Sequence, residues 1–352
     1  MNGAMQVVLQ PTTLCNLSCT YCYLPEKEMN KKMGVEVAEK IALDLSTGIS
    51  PVDLIWHAGE PLATGIEHFR NLLKCFEKVK KHRTLNHALQ TNGTLINDEW
   101  CQLFREFNVE VGVSIDGPAE MNSKRVNWIG KPSYDKITQG IDILRRHGIR
   151  FMCICVVCDD GLHQADKLYR FFQSLGCYRV AFNIEETVGV HTKNVSNDSG
   201  VQNFWSDIFR LWKQSPEIEI REMAQVFSYL TAVSTNDNVP QKYSVNVQNL
   251  FPCIAFNGDV VLLSPEFLNS GIGKYNNFVV GNVMKQDLDL ILSSGLEADY
   301  VRDYKDGIEM CYQSCEYADF CGGGTASSKF YELGTTNATE TAYCRNVKKH
   351  LP

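Results

Sequence analysis

The sequence predicts an α/β fold: a partial barrel of six βα units followed by a smaller, cysteine-rich unit. Three observations carry that prediction. From residue 6 to residue 186, short runs rich in β-branched residues alternate with stretches of helical hydrophobic period. Gly148 and Gly176 stand where helices between such runs should stop. From Val245 onward the Gly, Asn and Cys content rises and the helical stretches shorten.

With 352 residues, 44% of them apolar and 21% charged, the chain can bury a large core and reads as two unequal packed domains, residues 1–240 and 241–352. The expected strands are residues 6–10, 52–57, 87–90, 109–115, 150–157 and 179–184. Between them lie expected helices over residues 34–45, 66–80, 98–107, 134–147 and 162–175. Right-handed crossovers between parallel strands put every strand C-terminus on one face, and that face carries the chemistry in such folds. Motifs should therefore follow strands. Residues 187–245 break the rhythm: the polar stretch 191–200 leads into an amphipathic segment, 203–212, and a further helical segment, together a bridge. The last unit is expected to be loop-rich and stabilised by metal rather than by a large core.

The formal net charge of −7 disfavours a nucleic-acid partner, because affinity for a phosphate backbone rests on clustered Lys and Arg. The densest basic stretch, residues 78–83, closes an expected helix, where cations complement the dipole. No basic segment followed by an apolar run opens the chain, and no apolar run reaches the ~18 residues that span a bilayer. Neither export nor membrane insertion is expected, and the protein is placed in the cytoplasm. Cytosolic thiols stay reduced, so the 14 cysteines point to metal binding rather than to disulfides.

Directly after the first expected strand stand Cys15, Cys19 and Cys22, with three and then two residues between successive thiols. A zinc site would want a fourth Cys or His close by, and the nearest histidine is His57, at the end of the next expected strand. Three thiolates leave one iron of a [4Fe–4S] cluster open to an outside chelating group. These thiols, with Tyr21 and Tyr23 beside the last of them, resemble the signature of the radical S-adenosylmethionine (radical SAM) superfamily. That resemblance implies a partial (β/α)6 TIM-like barrel and a [4Fe–4S] cluster on Cys15, Cys19 and Cys22. It also implies S-adenosylmethionine held by its amino and carboxylate groups on the open iron and cleaved to methionine and a 5′-deoxyadenosyl radical. Cofactor contacts are implied for Tyr21, for Gly59 and Glu60 in Ala58-Gly59-Glu60-Pro61, and for Asn92 in Gln90-Thr91-Asn92-Gly93-Thr94. They are implied also for Ser114 and Asp116 in Ser114-Ile115-Asp116-Gly117-Pro118 and for Arg125. Ala58 departs from the glycine usual at that place.

Near the C-terminus stand Cys311, Cys315, Cys321 and Cys344, a set that closes a site completely and that spacing alone leaves open to zinc or iron–sulfur. The region resembles the SPASM/twitch-like extension of radical enzymes that modify peptides and proteins, with Asn257-Gly258-Asp259-Val260 and Gly281-Asn282-Val283 as further landmarks. The full extension carries seven cysteines for two auxiliary clusters. Here Leu263 stands in place of one, and Gly322-Gly323-Gly324-Thr325 replaces another, which leaves Cys253 nearly alone. One complete auxiliary [4Fe–4S] cluster on Cys311, Cys315, Cys321 and Cys344 is therefore expected, and a second is not. Cys75, Cys101, Cys153, Cys155, Cys158 and Cys177 lack ligand spacing and read as core.

A closed auxiliary cluster points to electron transfer after hydrogen removal. Residues 10–15, 55–62 and 182–186 resemble the cyclophane-forming peptide maturases, which join a side-chain β-carbon to an aromatic ring in a ribosomal precursor peptide. Glu185, Glu186 and Glu266 are the candidate proton acceptors, the first two at the end of the sixth strand. Thioether formation, epimerisation and anaerobic sulfatase maturation are the sister reactions. The sulfatase-maturing relatives place an Asp where this chain has Ser264, with Glu266 two residues later, so the match to them fails at the proposed base. A non-enzymatic cluster sensor would not need the cofactor-site segments. The implied partners are a precursor peptide with a leader and a reductase such as flavodoxin or ferredoxin. With the first thiol at residue 15, no separate leader-binding domain is expected before the barrel.

Overall fold

In the computed structural model, which describes residues 5–48, 50–80, 83–194, 198–235 and 249–352, the six expected strands form and lie side by side in chain order. They are β1 (Met5–Leu9), β2 (Val52–Trp56), β3 (Leu85–Thr91), β4 (Val109–Ser114), β5 (Phe151–Val157) and β6 (Arg179–Ile184), every neighbouring pair parallel. The crossovers are α1 (Val35–Leu45), α2 (Ile66–Glu77), α3 (Asp98–Glu106), α4 (Tyr134–Arg146) and α5 (Ala165–Leu175). Local chemistry sets these limits. The Asn97 side chain accepts from the Trp100 amide to start α3, which buries Trp100, Cys101, Leu103 and Phe104 against the sheet. Gly176 ends α5 in the left-handed conformation that glycine adopts at least cost. Along β5, Phe151, Cys153, Cys155 and Val157 all face the core, so Cys153 and Cys155 are packing residues as expected.

Both edges of the sheet carry strands that the sequence pattern did not reveal. β7 (Glu219–Ile220) lies parallel to β6 at one edge, and β8 (Cys253–Ile254) lies parallel to β1 at the other. Antiparallel β9 (Asp259–Val261) and β10 (Gly281–Asn282) extend that second edge, so ten strands run in the order β10-β9-β8-β1-β2-β3-β4-β5-β6-β7. Two-residue strands escape sequence reading because a period of two needs a longer run to show. The expected boundary between residues 240 and 241, and Val245 with it, lies outside the described residues, as do Lys81 and His82 of the basic stretch.

Two helices bridge the halves. α6 (Asp198–Gln214) is longer than expected and buries Phe204, Trp205 and Ile208, with Trp205 Nε1 donating to the Asn346 carbonyl at 2.7 Å. α7 (Arg221–Thr235) follows β7 directly. The C-terminal region continues through α8 (Leu288–Gly295), α9 (Asp299–Ser314), α10 (Ala318–Cys321), α11 (Ala326–Leu333) and α12 (Ala342–Cys344). Contrary to expectation it has a substantial apolar core. Phe267 and Phe278 stack with ring centroids 4.0 Å apart, and Tyr300, Phe330 and Tyr331 pack around them. Polar turn residues dominate the composition there, while the few aromatics that interleave with them carry the burial.

Phe267→Ala should lower the stability of metal-free protein by about 3–5 kcal/mol, the usual result of emptying a filled aromatic site. Urea unfolding in the presence of a chelator measures it, and an unchanged midpoint would show that this core does not stabilise the fold.

Candidate active site

The loop after β1 is anchored at both flanks. Cys15 N donates to Lys27 O at 2.8 Å, Ser18 N to Val126 O at 2.7 Å, and Trp128 Nε1 to the Cys15 carbonyl at 2.9 Å. The loop after β2 packs beneath it. A Cβ on Gly59 (φ 73°) would stand 2.3 Å from the Thr12 carbonyl oxygen, so only glycine fits, and Glu60 N donates to Leu14 O at 2.8 Å. Ala58 also has a positive φ, 70°, which accounts physically for the glycine usual at that place. Cys15, Cys19 and Cys22 are thereby half-buried on the rim of a cavity of about 280 Å³.

Tyr21, Gly59, Glu60, Asn92, Ser114 and Arg125 line this cavity with the thiols. Asn92 Nδ2 donates to Asn16 Oδ1 at 2.8 Å and reaches Cys15 Sγ at 3.8 Å, and Ser114 Oγ accepts from Gln90 Nε2 at 2.8 Å. Arg125 is buried, with Nε lacking a protein partner. One expectation changes. Asp116 is not on the cavity wall but behind it, where it accepts from Arg125 at 2.9 Å, from Val156 N at 2.9 Å and from the Tyr21 hydroxyl. Its role in this structure is to orient Arg125 and Tyr21. Glu60 has both carboxylate oxygens engaged, by Leu62 N, Thr91 Oγ1 and Asn92 N, and burial pushes its pKa up to about 7.

The three candidate acids, Glu185, Glu186 and Glu266, face the same cavity. Glu185 Oε1 is 3.1 Å from His191 Nε2, and its Oε2 is 3.9 Å from Lys124 Nζ. Glu186 accepts from Ser328 Oγ at 2.8 Å, and burial, with Glu266, Glu332 and Cys344 adding, pushes its pKa up to about 8. Burial likewise raises Glu266, which accepts a hydrogen bond from Ser264. Tyr23 and His57 were not assigned from sequence, nor was His191. Tyr23 Oη lies 3.0 Å from His57 Nε2, and burial pushes His57 down to about 4, so it is neutral at pH 7. The place of His57 at a strand end was the available signal. His191 follows no strand and gave none.

The other four thiols surround a second cavity of about 100 Å³. Cys311 lies in the last turn of α9, Cys315 caps that helix through its amide to Cys311 O at 2.8 Å, and Cys321 and Cys344 end α10 and α12. Gly322, Gly323 and Gly324 all have positive φ and turn the chain back past the thiols. A hydrogen bond from Cys321 lowers the Cys344 pKa. Cys253 lies in β8, fully buried and directed at Phe251 O at 3.4 Å, away from this cavity.

Residues 9–172 match the family model described as the radical SAM superfamily. An uncharacterized protein of Synechocystis sp. is 33% identical over 96% of this chain and 88% of its own length. Residues 9–172 are thus a radical SAM domain. A serine-type anaerobic sulfatase-maturating enzyme of Bacteroides thetaiotaomicron is 38% identical over 188 residues, 51% of this chain and 45% of that enzyme, so the match spans under half of that relative. Among solved structures, anSMEcpe with bound AdoMet shares the fold at TM-score 0.79 and 20% identity, over 99% of this chain and 96% of that one. Streptococcus suis SuiB bound to precursor peptide SuiA shares it at TM-score 0.67 and 18% identity, over 98% and 76%. The expected TIM-like radical SAM barrel is thus the fold of this chain.

The residues present fit the groups that a radical SAM enzyme uses. Three thiols stand beside an unpartnered guanidinium N–H suited to a carboxylate, and four further thiols ring a separate cavity. Among the described residues no three His, Cys, Asp or Glu side chains converge on a point where a single ion would sit.

Replacing Cys15, Cys19 and Cys22 by Ala should cut reconstituted iron from about eight to about four per chain, with cubanes at four irons each. It should also abolish 5′-deoxyadenosine formation. Zinc in place of the residual iron would reassign the second site. Glu186, lifted to about 8 in the folded state from its ordinary 4.5, holds a proton there that the unfolded chain has released. Stability from this group is therefore present at low pH and declines as pH rises between those values. Glu186→Gln should flatten that part of the decline, read as a smaller fall in melting temperature between about pH 5 and about pH 8.

Proposed function

We propose that the protein is a peptide maturase that removes a hydrogen atom from a side-chain β-carbon and joins that carbon to an aromatic ring, giving a cyclophane within a ribosomally made precursor. The observation that carries this reading is that the three-thiol loop and the three acids face one another across a single cavity. In this reading Cys15, Cys19 and Cys22 hold the radical-generating cluster, and Cys311, Cys315, Cys321 and Cys344 hold one auxiliary cluster. When bound, S-adenosylmethionine and these clusters supply a 5′-deoxyadenosyl radical and a sink for one electron. Gly59, Asn92, Ser114 and Arg125 line the cofactor's side of the cavity, and Asp116 and Tyr21 fix the Arg125 plane. The partners required are the precursor with its leader and a reductase such as flavodoxin or ferredoxin.

Joining the β-carbon to the ring releases one hydrogen atom to the radical, then one electron and one proton from the ring. The proton is the protein's task. Glu186 and Glu266, both raised by burial, accept it only as carboxylates, and Glu186, pushed up to about 8, is poised near the working pH, which suits such transfer. Glu185, held by His191 and Lys124, is placed to orient the peptide beside them.

A second reading is favoured by one contact. Ser264 stands where sulfatase-maturing relatives place their acid, and it hydrogen-bonds to Glu266, whose carboxylate reaches the cavity from two residues away. Glu266 could then serve oxidation of a serine to formylglycine. Both products lack two hydrogens, so mass alone does not separate them. With a candidate precursor, the crosslink should leave tandem mass spectra unfragmented inside the ring and should not react with hydroxylamine. Capture by hydroxylamine would establish the aldehyde and reject crosslinking, and a D-residue at unchanged mass would reject both. Glu266→Gln should leave 5′-deoxyadenosine formation intact while product falls by about 100-fold or more, the usual contribution of a positioned base.

A further inference from the structure

Lys329, on α11, is the outstanding buried charge of the C-terminal region, with 0% of its surface exposed. Its Nζ lies 3.8 Å from Cys311 Sγ and 5.2 Å from the centre of the Tyr304 ring. Its stem packs against the glycine turn: a Cβ on Gly324 would stand 3.6 Å from Lys329 Cε and 3.3 Å from Cys344 Sγ. Among the described residues it forms no ion pair with a carboxylate. Glu340, the acid lining the same cavity, is taken by Arg345 and Lys349. A cation removed from water without a counter-charge is expensive, so a fold that keeps one there needs an anion beside it. The groups beside it are the thiols.

We propose that Lys329 sets the reduction potential of the C-terminal cluster, by donating a hydrogen bond to the Cys311 sulfur and by placing a buried positive charge against the thiolate set. The proposal rests on reading Cys311, Cys315, Cys321 and Cys344 as cluster ligands. Four thiolates give the cluster a net negative charge that grows by one on reduction, and a nearby N–H donor or cation favours the more negative state. Burial matters to the size of the effect. Lys348 and Lys349, the cations that line this cavity, are partly exposed, Lys348 over the Phe320 ring at 5.3 Å and 3.3 Å from Gln225, so solvent and salt screen them more. Lys329 is enclosed. It acts through the ligands, touching neither substrate nor cofactor at the first cavity, and is a positioning and tuning residue that makes the cluster a better electron acceptor.

The test uses the full chain with Cys15, Cys19 and Cys22 replaced by Ala, so that the C-terminal cluster alone contributes. Lys329→Met and Lys329→Gln are reconstituted anaerobically in that background, and the midpoint potential is read by redox titration followed by electron paramagnetic resonance. Iron should stay at about four per chain. Lys329→Met should lower the equilibrium constant for reduction about tenfold or more, ~59 mV for a single electron. Lys329→Gln, which keeps an N–H donor without the charge, should fall between. An intact cluster with the parent's potential in Lys329→Met would overturn the role of Lys329 and leave the cluster standing. If Met prevents cluster loading, an unshifted Gln variant overturns it equally. Absence of iron from the parent C-terminal site would instead overturn the ligand reading beneath the proposal.

Discussion

The site depends first on the buried carboxylate of Glu60. Its oxygens accept from Leu62 N, Thr91 Oγ1 and Asn92 N, and its own amide donates to Leu14 O, so one residue ties together the chain ends leaving β1, β2 and β3. These donors offset part of the cost of burying an acid. Gly59 beside it removes the side chain that would collide with Thr12. The thiol loop rests on this knot. The same carboxylate faces the first cavity.

Parallel order supplies the second constraint. Because β1 to β6 all point one way, the segments that follow them meet at one face, and residues as distant as Cys15, Asn92 and Glu186 share a cavity. The pairing of β8 on β1 then carries the C-terminal region to the same end of the sheet. Ser328 reaches Glu186, and Ser264 and Tyr331 fix the Glu266 segment. The second region is part of the active cavity as well as a holder for thiols.

Electrostatics divides the molecule by function. At the first cavity burial shifts Glu60, Glu186 and Glu266 upward and His57 downward, each toward its neutral form. Arg125 is the buried cation there, and Asp116 compensates it at 2.9 Å. At the second cavity Lys329 has thiols where Arg125 has a carboxylate. The two buried cations mark the two places where negative charge belongs.

The sequence by itself determined the six parallel units, their limits to within a few residues, and the spacing of both thiol sets, because periodicity and ligand spacing are local properties of the chain. It also placed Glu185, Glu186 and Glu266 among the candidates. Only the tertiary structure decided which of the assigned residues face the cavity. Asp116 proved to stand behind it, Glu60 to tie neighbouring loops together while facing it, and His57, His191 and Tyr23 to belong to it. The short edge strands, the aromatic core of the C-terminal region and the burial of Lys329 were equally illegible. The physical reason is common to all of them. A side chain's role at a site depends on which distant groups satisfy its hydrogen bonds and exclude its water, and those partners are chosen by packing, not by neighbours in the chain.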